Sequence, residues 1–381
     1  MVHLIHFYIL DFKGAVMDNK KKNFIVCTIA AVFFIGGFIL FLITPDKEYS
    51  LSERRKLHKK PEVSFDAVIK GKYMISFEKY SMDQFPFREK LREIKTLAVT
   101  DIFQMKDKNK LYKYKDYIVS MDYPLNKESI LYATDRFKYI NDTYLNENNN
   151  IYMSIIPDKN IFLGEISGHP FIDFSKMESI VKENMPYASY ISIAHLLSED
   201  DFYKTDTHFK QEKVSDVAKE LTEAMETSID TDYKVVDTNQ DFYGVYYGQY
   251  KGKVSPDNIL YLTNDTIENM SVFDVENNKE IPVYNMELLE DKDPYEMFLS
   301  GPLSLVTITN SKSEKDNRLI IFRDSFGSSI APIIATGYKE TVLVDIRYVS
   351  PKILGRFVDF NNADILFLYS SIVLNNSGTI K

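Results

Sequence analysis

The pattern of apolar and polar positions divides this chain into three textures. The first is a run without charge from Phe24 to Ile43, after Lys20-Lys21-Lys22 and before Pro45-Asp46. Such a run is long enough to cross ~30 Å of hydrocarbon. A cleaved signal peptide would have a shorter apolar region ending in a small-x-small site, and this run ends Phe-Leu-Ile-Thr-Pro. An uncleaved anchor over residues 23–44 is therefore expected. Its lysine flank places residues 1–22 in the cytoplasm and everything beyond Pro45 outside. Met17 reads as a fresh start: either translation begins there, or residues 1–16 are a genuine cytoplasmic tail.

The second texture is polar, then helical. Residues 46 to about 64 are charged and read as a tether. Residues 66–106 carry apolar positions at helical spacing, including Leu91, Ile94, Leu97 and Ile102, broken at Asp83-Gln84-Phe85-Pro86-Phe87-Arg88. Residues 45–108 are taken together as tether and helical region.

The third texture, 109–381, alternates short apolar runs with helical stretches. Tyr117–Ser120, Ile151–Ile156, Tyr190–Ile193, Leu319–Phe322, Thr341–Ile346 and Asp364–Tyr369 read as strands. Asp135–Leu145, Asp173–Asn184 and Gln211–Ser228 read as helices. Alternation of this kind predicts an α/β domain, a parallel sheet with helices on both faces. Residues 241–300 interrupt it with Gly244, Gly248 and Gly252 in a tyrosine-rich segment, read as an inserted set of strands or loops.

Composition narrows the partners. Net charge is −9, which argues against nucleic acid, since phosphate binding needs a basic field. Cys27 is the single cysteine, so neither an intrachain disulfide nor a cysteine-based metal site can form. No cofactor and no metal site is expected.

Two stretches carry candidate chemistry. Arg323-Asp324-Ser325-Phe326-Gly327 follows an apolar strand and opens a helix, a strand–turn–helix that exposes a serine Oγ at a strand end. The amides of the first helical turn are expected beside it as oxyanion donors. Helix capping by Asp324 or Ser325 is the plainer reading. Tyr203-Lys204-Thr205-Asp206-Thr207-His208-Phe209 supplies a carboxylate and an imidazole two residues apart. A serine nucleophile needs a histidine to take its proton and a carboxylate to hold that histidine. Asp206 and His208 can do this from an extended segment. If they do, Asp206, His208 and Ser325 converge within ~2.6–3.2 Å. Of the other histidines, His3 and His6 lie in the doubtful N-terminus, His58 in the tether, His169 in a loop, and His195 in an apolar setting that suggests the core.

These two motifs resemble those of the bacterial DHHW family and of alginate O-acetyltransferases, both SGNH-hydrolase-like. Asp83-Gln84-Phe85-Pro86-Phe87-Arg88, Ile156-Pro157-Asp158-Lys159 and Val344-Asp345-Ile346-Arg347-Tyr348 fit the same pattern, which covers roughly residues 45–375. The resemblance implies a flavodoxin-like sheet and an Asp206–His208–Ser325 triad that carries an acetyl group as a serine ester. It implies Arg347, Tyr203 and Arg323 as substrate-binding residues, an extracellular polysaccharide as acceptor, and a multi-pass membrane O-acyltransferase as donor. Thr207 and Phe209 stand where the family has histidine and tryptophan, and Arg323 where it has glycine. An esterase with the same triad, or a silent glycan-binding envelope protein, would share these motifs.

Overall fold

The computed structural model describes residues 18–50 and 52–381. Residues 1–17 of the expected cytoplasmic tail, with His3 and His6, lie outside the described residues. The chain forms two compact units. One holds Asp18–Ser50 and Arg55–Ile94; the other holds Ser52–Arg54 and Lys95–Lys381.

In the first unit a helix spans Asn19–Ile43, with Asp18 accepting from the Lys20 amide at its start. Its most apolar 18-residue window has a mean hydropathy of 2.8, and no part of that window is buried. At 1.5 Å per residue it is about 37 Å long, enough to cross a bilayer. Helices Phe65–Ile69, Lys72–Gln84 and Arg88–Leu97 follow. The polar stretch read as a tether folds back on the second of these. Asp83 holds Arg55 through both guanidinium nitrogens (2.8 and 2.5 Å) and also binds His58. Gln84 bonds the Lys47 backbone in both directions.

The second unit is built on an eight-stranded sheet. Its strands are β1 (Ile151–Ile156), β2 (Ser189–Tyr190), β3 (Met270–Asp274), β4 (Lys279–Ile281), β5 (Leu305–Asn310), β6 (Arg318–Arg323), β7 (Glu340–Val344) and β8 (Ala363–Ser370). Their order across the sheet is β4-β3-β5-β7-β6-β8-β1-β2. β7, β6, β8, β1 and β2 run parallel, and β5, β3 and β4 extend the β7 edge through antiparallel pairs.

The continuous apolar reading of β6 has a direct cause. Leu319 and Ile321 point to one face, against Val217 and Leu221 of helix Ser215–Ala224 and Ile330 of helix Gly327–Ile334. Ile320 and Phe322 point to the other, into the cluster that holds Phe137 of helix Lys127–Tyr144 and Met177 of helix Phe174–Asn184. A strand covered on both faces has no polar side to alternate with. Sheets of this type gather their sites at the strand carboxyl ends. β6 delivers Asp324 and Ser325 there, and β1 delivers Asp158 and Lys159.

The expected insertion resolves into two parts. Asp257–Thr263 pairs with Lys234–Phe242 as a separate ribbon, whereas β3 and β4 belong to the main sheet.

Candidate active site

Ser325 sits in the turn between β6 and helix Gly327–Ile334. Asp324 shapes that turn: its Oδ1 accepts from the Phe326 amide at 3.0 Å and its Oδ2 from the Ser370 amide at the end of β8 at 2.8 Å. The aspartate thus fixes the turn without capping the helix, and the serine hydroxyl is left for another partner. A Cβ at Gly327 would come within 2.7 Å of Arg323 Cβ, so the glycine is needed for the turn to close on its own strand.

The partner of Ser325 is His208. Nε2 of His208 lies 2.8 Å from Ser325 Oγ, and Nδ1 lies 2.6 Å from Asp206 Oδ1. Asp206 is fully used: Oδ1 also accepts from the His208 amide, and Oδ2 accepts from the Val245 amide at 2.7 Å. It does not cap the helix that follows. Burial alone would raise the Asp206 pKa. The charge and hydrogen bond of His208, with Arg54 and the Val245 amide, outweigh it and hold the carboxyl well below the ordinary range.

Four supports hold this arrangement. The Tyr295 ring stacks on the His208 imidazole, centroids 3.8 Å apart and planes within 8°. Its hydroxyl reaches Ser329 Oγ (2.9 Å) and the Ser325 carbonyl (3.3 Å). Lys159, wholly buried, donates to the carbonyls of Tyr203 (2.8 Å), Lys204 (3.2 Å) and Asp206 (2.6 Å). Burial pushes its pKa down, while the carboxylates of Asp158, Asp257 and Asp206 oppose the shift. Gly244 lets the next segment press against the triad carboxylate, for a Cβ there would lie 2.2 Å from Asp206 Cβ. Arg54 places Nη1 3.7 Å from Asp206 Oδ2 and 2.5 Å from Asp293 Oδ2.

The site opens into a cleft of about 270 Å³, whose walls include Asp293, Glu296, Gly301, Pro302 and Tyr348. Leu299, Ser300 and Gly301 hold consecutive left-handed conformations, φ 53°, 59° and 89°. Strained backbone of this kind accumulates at functional sites.

Solved structures share this architecture. A DHHW family protein from Eubacterium siraeum aligns with a TM-score of 0.55 at 17% identity, over 72% of this chain and 95% of its own. PatB1 from Bacillus cereus, solved with a sulfonyl adduct, aligns with a TM-score of 0.56 at 18% identity, over 69% of this chain and 95% of its own. The chain has their fold. No family model and no curated protein sequence matches it. The fold expected from the resemblance to the DHHW family agrees with these neighbours.

Other expected site residues are placed differently in this fold. Tyr203 and Arg323 are fully buried and do not reach the cleft. Tyr203 packs edge-on against Phe242 and Tyr295. Arg323 points behind the turn, to the carbonyls of Asp324 and Leu303 and to Ser328 Oγ, with Asp345 3.9 Å away. Contact with substrate is closed to both by this packing. Arg347 is taken up by Asp345, through its amide, Nε and Nη2, and its neighbour Tyr348 lines the cleft instead. The first-turn amides are not free for an oxyanion either. Those of Phe326, Gly327 and Ser328 bond Asp324 Oδ1, the Asp324 carbonyl and the Ser325 carbonyl. Among the described residues the Ser325 amide itself has no acceptor. His195, expected in the core, is exposed on a short 3₁₀ turn where no apolar layer covers it.

Proposed function

We propose that this protein is a membrane-anchored O-acetyltransferase that moves an acetyl group, through an ester on Ser325, to hydroxyls of an extracellular polysaccharide. The observation that carries the reading is the hydrogen-bonded series Asp206–His208–Ser325, at 2.6 and 2.8 Å, ending in an open cleft.

In the first half-reaction Ser325 Oγ attacks the acetyl carbonyl while His208 Nε2 takes its proton. Asp206 accepts from Nδ1–H and stabilises the imidazolium. The Ser325 amide is the oxyanion donor that the turn leaves unused. His208 then returns the proton to the departing donor group, and acetyl stays on Ser325. In the second half an acceptor hydroxyl gives its proton to His208 and attacks the ester carbonyl. Collapse of that intermediate frees Ser325, which regains the proton. PatB1 has been solved with a sulfonyl adduct; a sulfonyl group is what a sulfonylating reagent leaves on a reactive nucleophile, and that chemistry suits Ser325.

The exposed ring of Tyr348 on the cleft wall gives an acceptor sugar a face to stack on. Helix Asn19–Ile43 anchors the chain, with residues beyond Pro45 outside the cell. An acetyl group supplied from the cytoplasm would reach this side through a multi-pass membrane O-acyltransferase. The test is to offer the full chain in detergent p-nitrophenyl acetate with and without oligosaccharide acceptors. Acetylated oligosaccharide, with p-nitrophenol release accelerated by acceptor, is the expected result. Release indifferent to every acceptor would make the protein an esterase.

A further inference from the structure

The juxtamembrane unit carries on its outside the side chains that a water-soluble unit buries. Phe65 is 84% exposed, Ile69 70%, Phe87 72% and Ile94 59%, with Ile75 and Leu91 also open. Soluble proteins seldom leave so many large apolar groups in so short a stretch uncovered. Three observations within this unit say what covers them.

The first is depth. Helix Lys72–Gln84 packs against the membrane helix itself: the rings of Phe41 and Tyr80 meet edge-on at 5.7 Å. A Cβ on Gly37 would touch the Phe85 ring at 3.8 Å. Gly37 lies inside the apolar run, about 9 Å below the helix end at Ile43 on a 1.5 Å rise per residue. An interfacial helix sinks its apolar face by ~5–10 Å. The second is charge. Arg55–Ile94 contains ten Lys and Arg against six Asp and Glu, in a chain whose net charge is −9. Four of the six, Asp66, Asp83, Glu89 and Glu93, are paired within the unit, with Lys70, Arg55, Arg88 and Lys90. The third is amphipathicity. In helix Arg88–Leu97, Leu91 and Ile94 lie three residues apart on one exposed face. Lys90, three-quarters exposed, lies beside them, and a long basic side chain of this kind reaches from apolar depth to headgroups.

We infer that Arg55–Ile94 is an interfacial membrane-binding unit, seated in the leaflet from which the membrane helix emerges, with its aromatic and aliphatic side chains in the lipid and its lysines and arginines on anionic headgroups. The unit is thus a platform on the bilayer rather than a stalk away from it. The inference rests on the anchoring part of the proposed function, not on the chemistry at Ser325.

The chain has no tryptophan, so single substitutions report cleanly. Full-length Phe65→Trp, Phe87→Trp and Leu91→Trp, and Phe357→Trp as a control on an exposed residue of the other unit, are reconstituted into equimolar phosphatidylglycerol–phosphatidylcholine vesicles. Some vesicles carry bromine near the headgroup end of the acyl chains. The first three variants should emit to the blue and lose at least about half their emission to bromine, as rings ~5–10 Å into the headgroup boundary do. Phe357→Trp is the reference against which their quenching is read. Quenching of the three should weaken in pure phosphatidylcholine. Intact mass shows whether the N-terminal helix is retained. A shortened chain would overturn the anchoring reading and this inference with it. An intact chain whose three tryptophans are no more quenched than the control would overturn this inference alone and assign the face to a protein partner.

Discussion

Arg54 Nη1 stands 3.7 Å from Asp206 Oδ2, so a residue from the short linker after the membrane helix braces the carboxylate behind His208. The same guanidinium nitrogen is 2.5 Å from Asp293, and Nη2 donates to the Tyr243 carbonyl at 2.9 Å. Gly248 makes room for the linker to pass, since a Cβ there would sit 1.5 Å from the Ser52 carbonyl oxygen.

Arg54→Ala should move the acid limb of kcat/KM to higher pH. The groups facing Asp206 are His208, Arg54 and Asp293, with Glu296 nearby in the cleft and Lys159 and Asp257 behind. Burial raises the Asp293 pKa, Arg54 opposes that, and Asp206 adds to it. Without the guanidinium the two carboxylates retain a proton between them to higher pH. Asp206 is depressed in the folded enzyme, so its contribution is present above the ordinary carboxylate pKa and lost as pH falls through the folded value. The variant meets that loss at higher pH. At neutral pH kcat/KM should fall on the order of 10–100-fold, and Arg54→Lys should restore most of it. An unshifted acid limb would mean that Arg54 only fills space.

Tyr295→Leu should reduce kcat on the order of 10–100-fold with KM little changed, because the lost stack frees the imidazole to leave its line between Asp206 and Ser325. Tyr295→Phe keeps the ring and should stay close to wild type. Steady-state kinetics on p-nitrophenyl acetate separates the two, and equal damage from both would assign the role to the hydroxyl.

Lys159→Met should destabilise the α/β unit by about 3–5 kcal/mol, the scale for removing one member of a buried charged network. Three carbonyls of the 203–206 segment would lose their donor at once. Thermal unfolding in detergent, followed by tyrosine near-UV circular dichroism, measures it; an unchanged midpoint would contradict the clamp assigned to Lys159.

The parallel strands were legible because burial on both faces leaves runs such as Leu319–Phe322 with no polar residue. Asp206 and His208 were legible because their spacing is local and histidines are few. The antiparallel edge was not. β3 alternates buried Met270, Val272 and Asp274 with exposed Ser271 and Phe273, and so short an alternation resembles a loop. Arg54 was hidden in Glu53-Arg54-Arg55-Lys56, where a charge run reads as solvated. Tyr295 was one of 26 tyrosines, and only the fold stacks it on His208. Gly244 was visible as punctuation, but its cause, the approach of Asp206, joins segments far apart in sequence. Tyr203 and Arg323 adjoin the motifs, and adjacency along a chain says nothing about which side of a turn a side chain takes.

In the proposed reaction Ser325 carries the acyl group. The most direct measurement is intact-protein mass spectrometry of the full chain, quenched in acid during turnover of p-nitrophenyl acetate, beside Ser325→Ala. The account predicts a single acetyl adduct, mapped by peptide analysis to Ser325 and missing from the variant. It also predicts accumulation in His208→Ala slower on the order of 10⁴-fold or more, since the triad acts as a unit. An adduct on another residue, or equal turnover by Ser325→Ala, would contradict it.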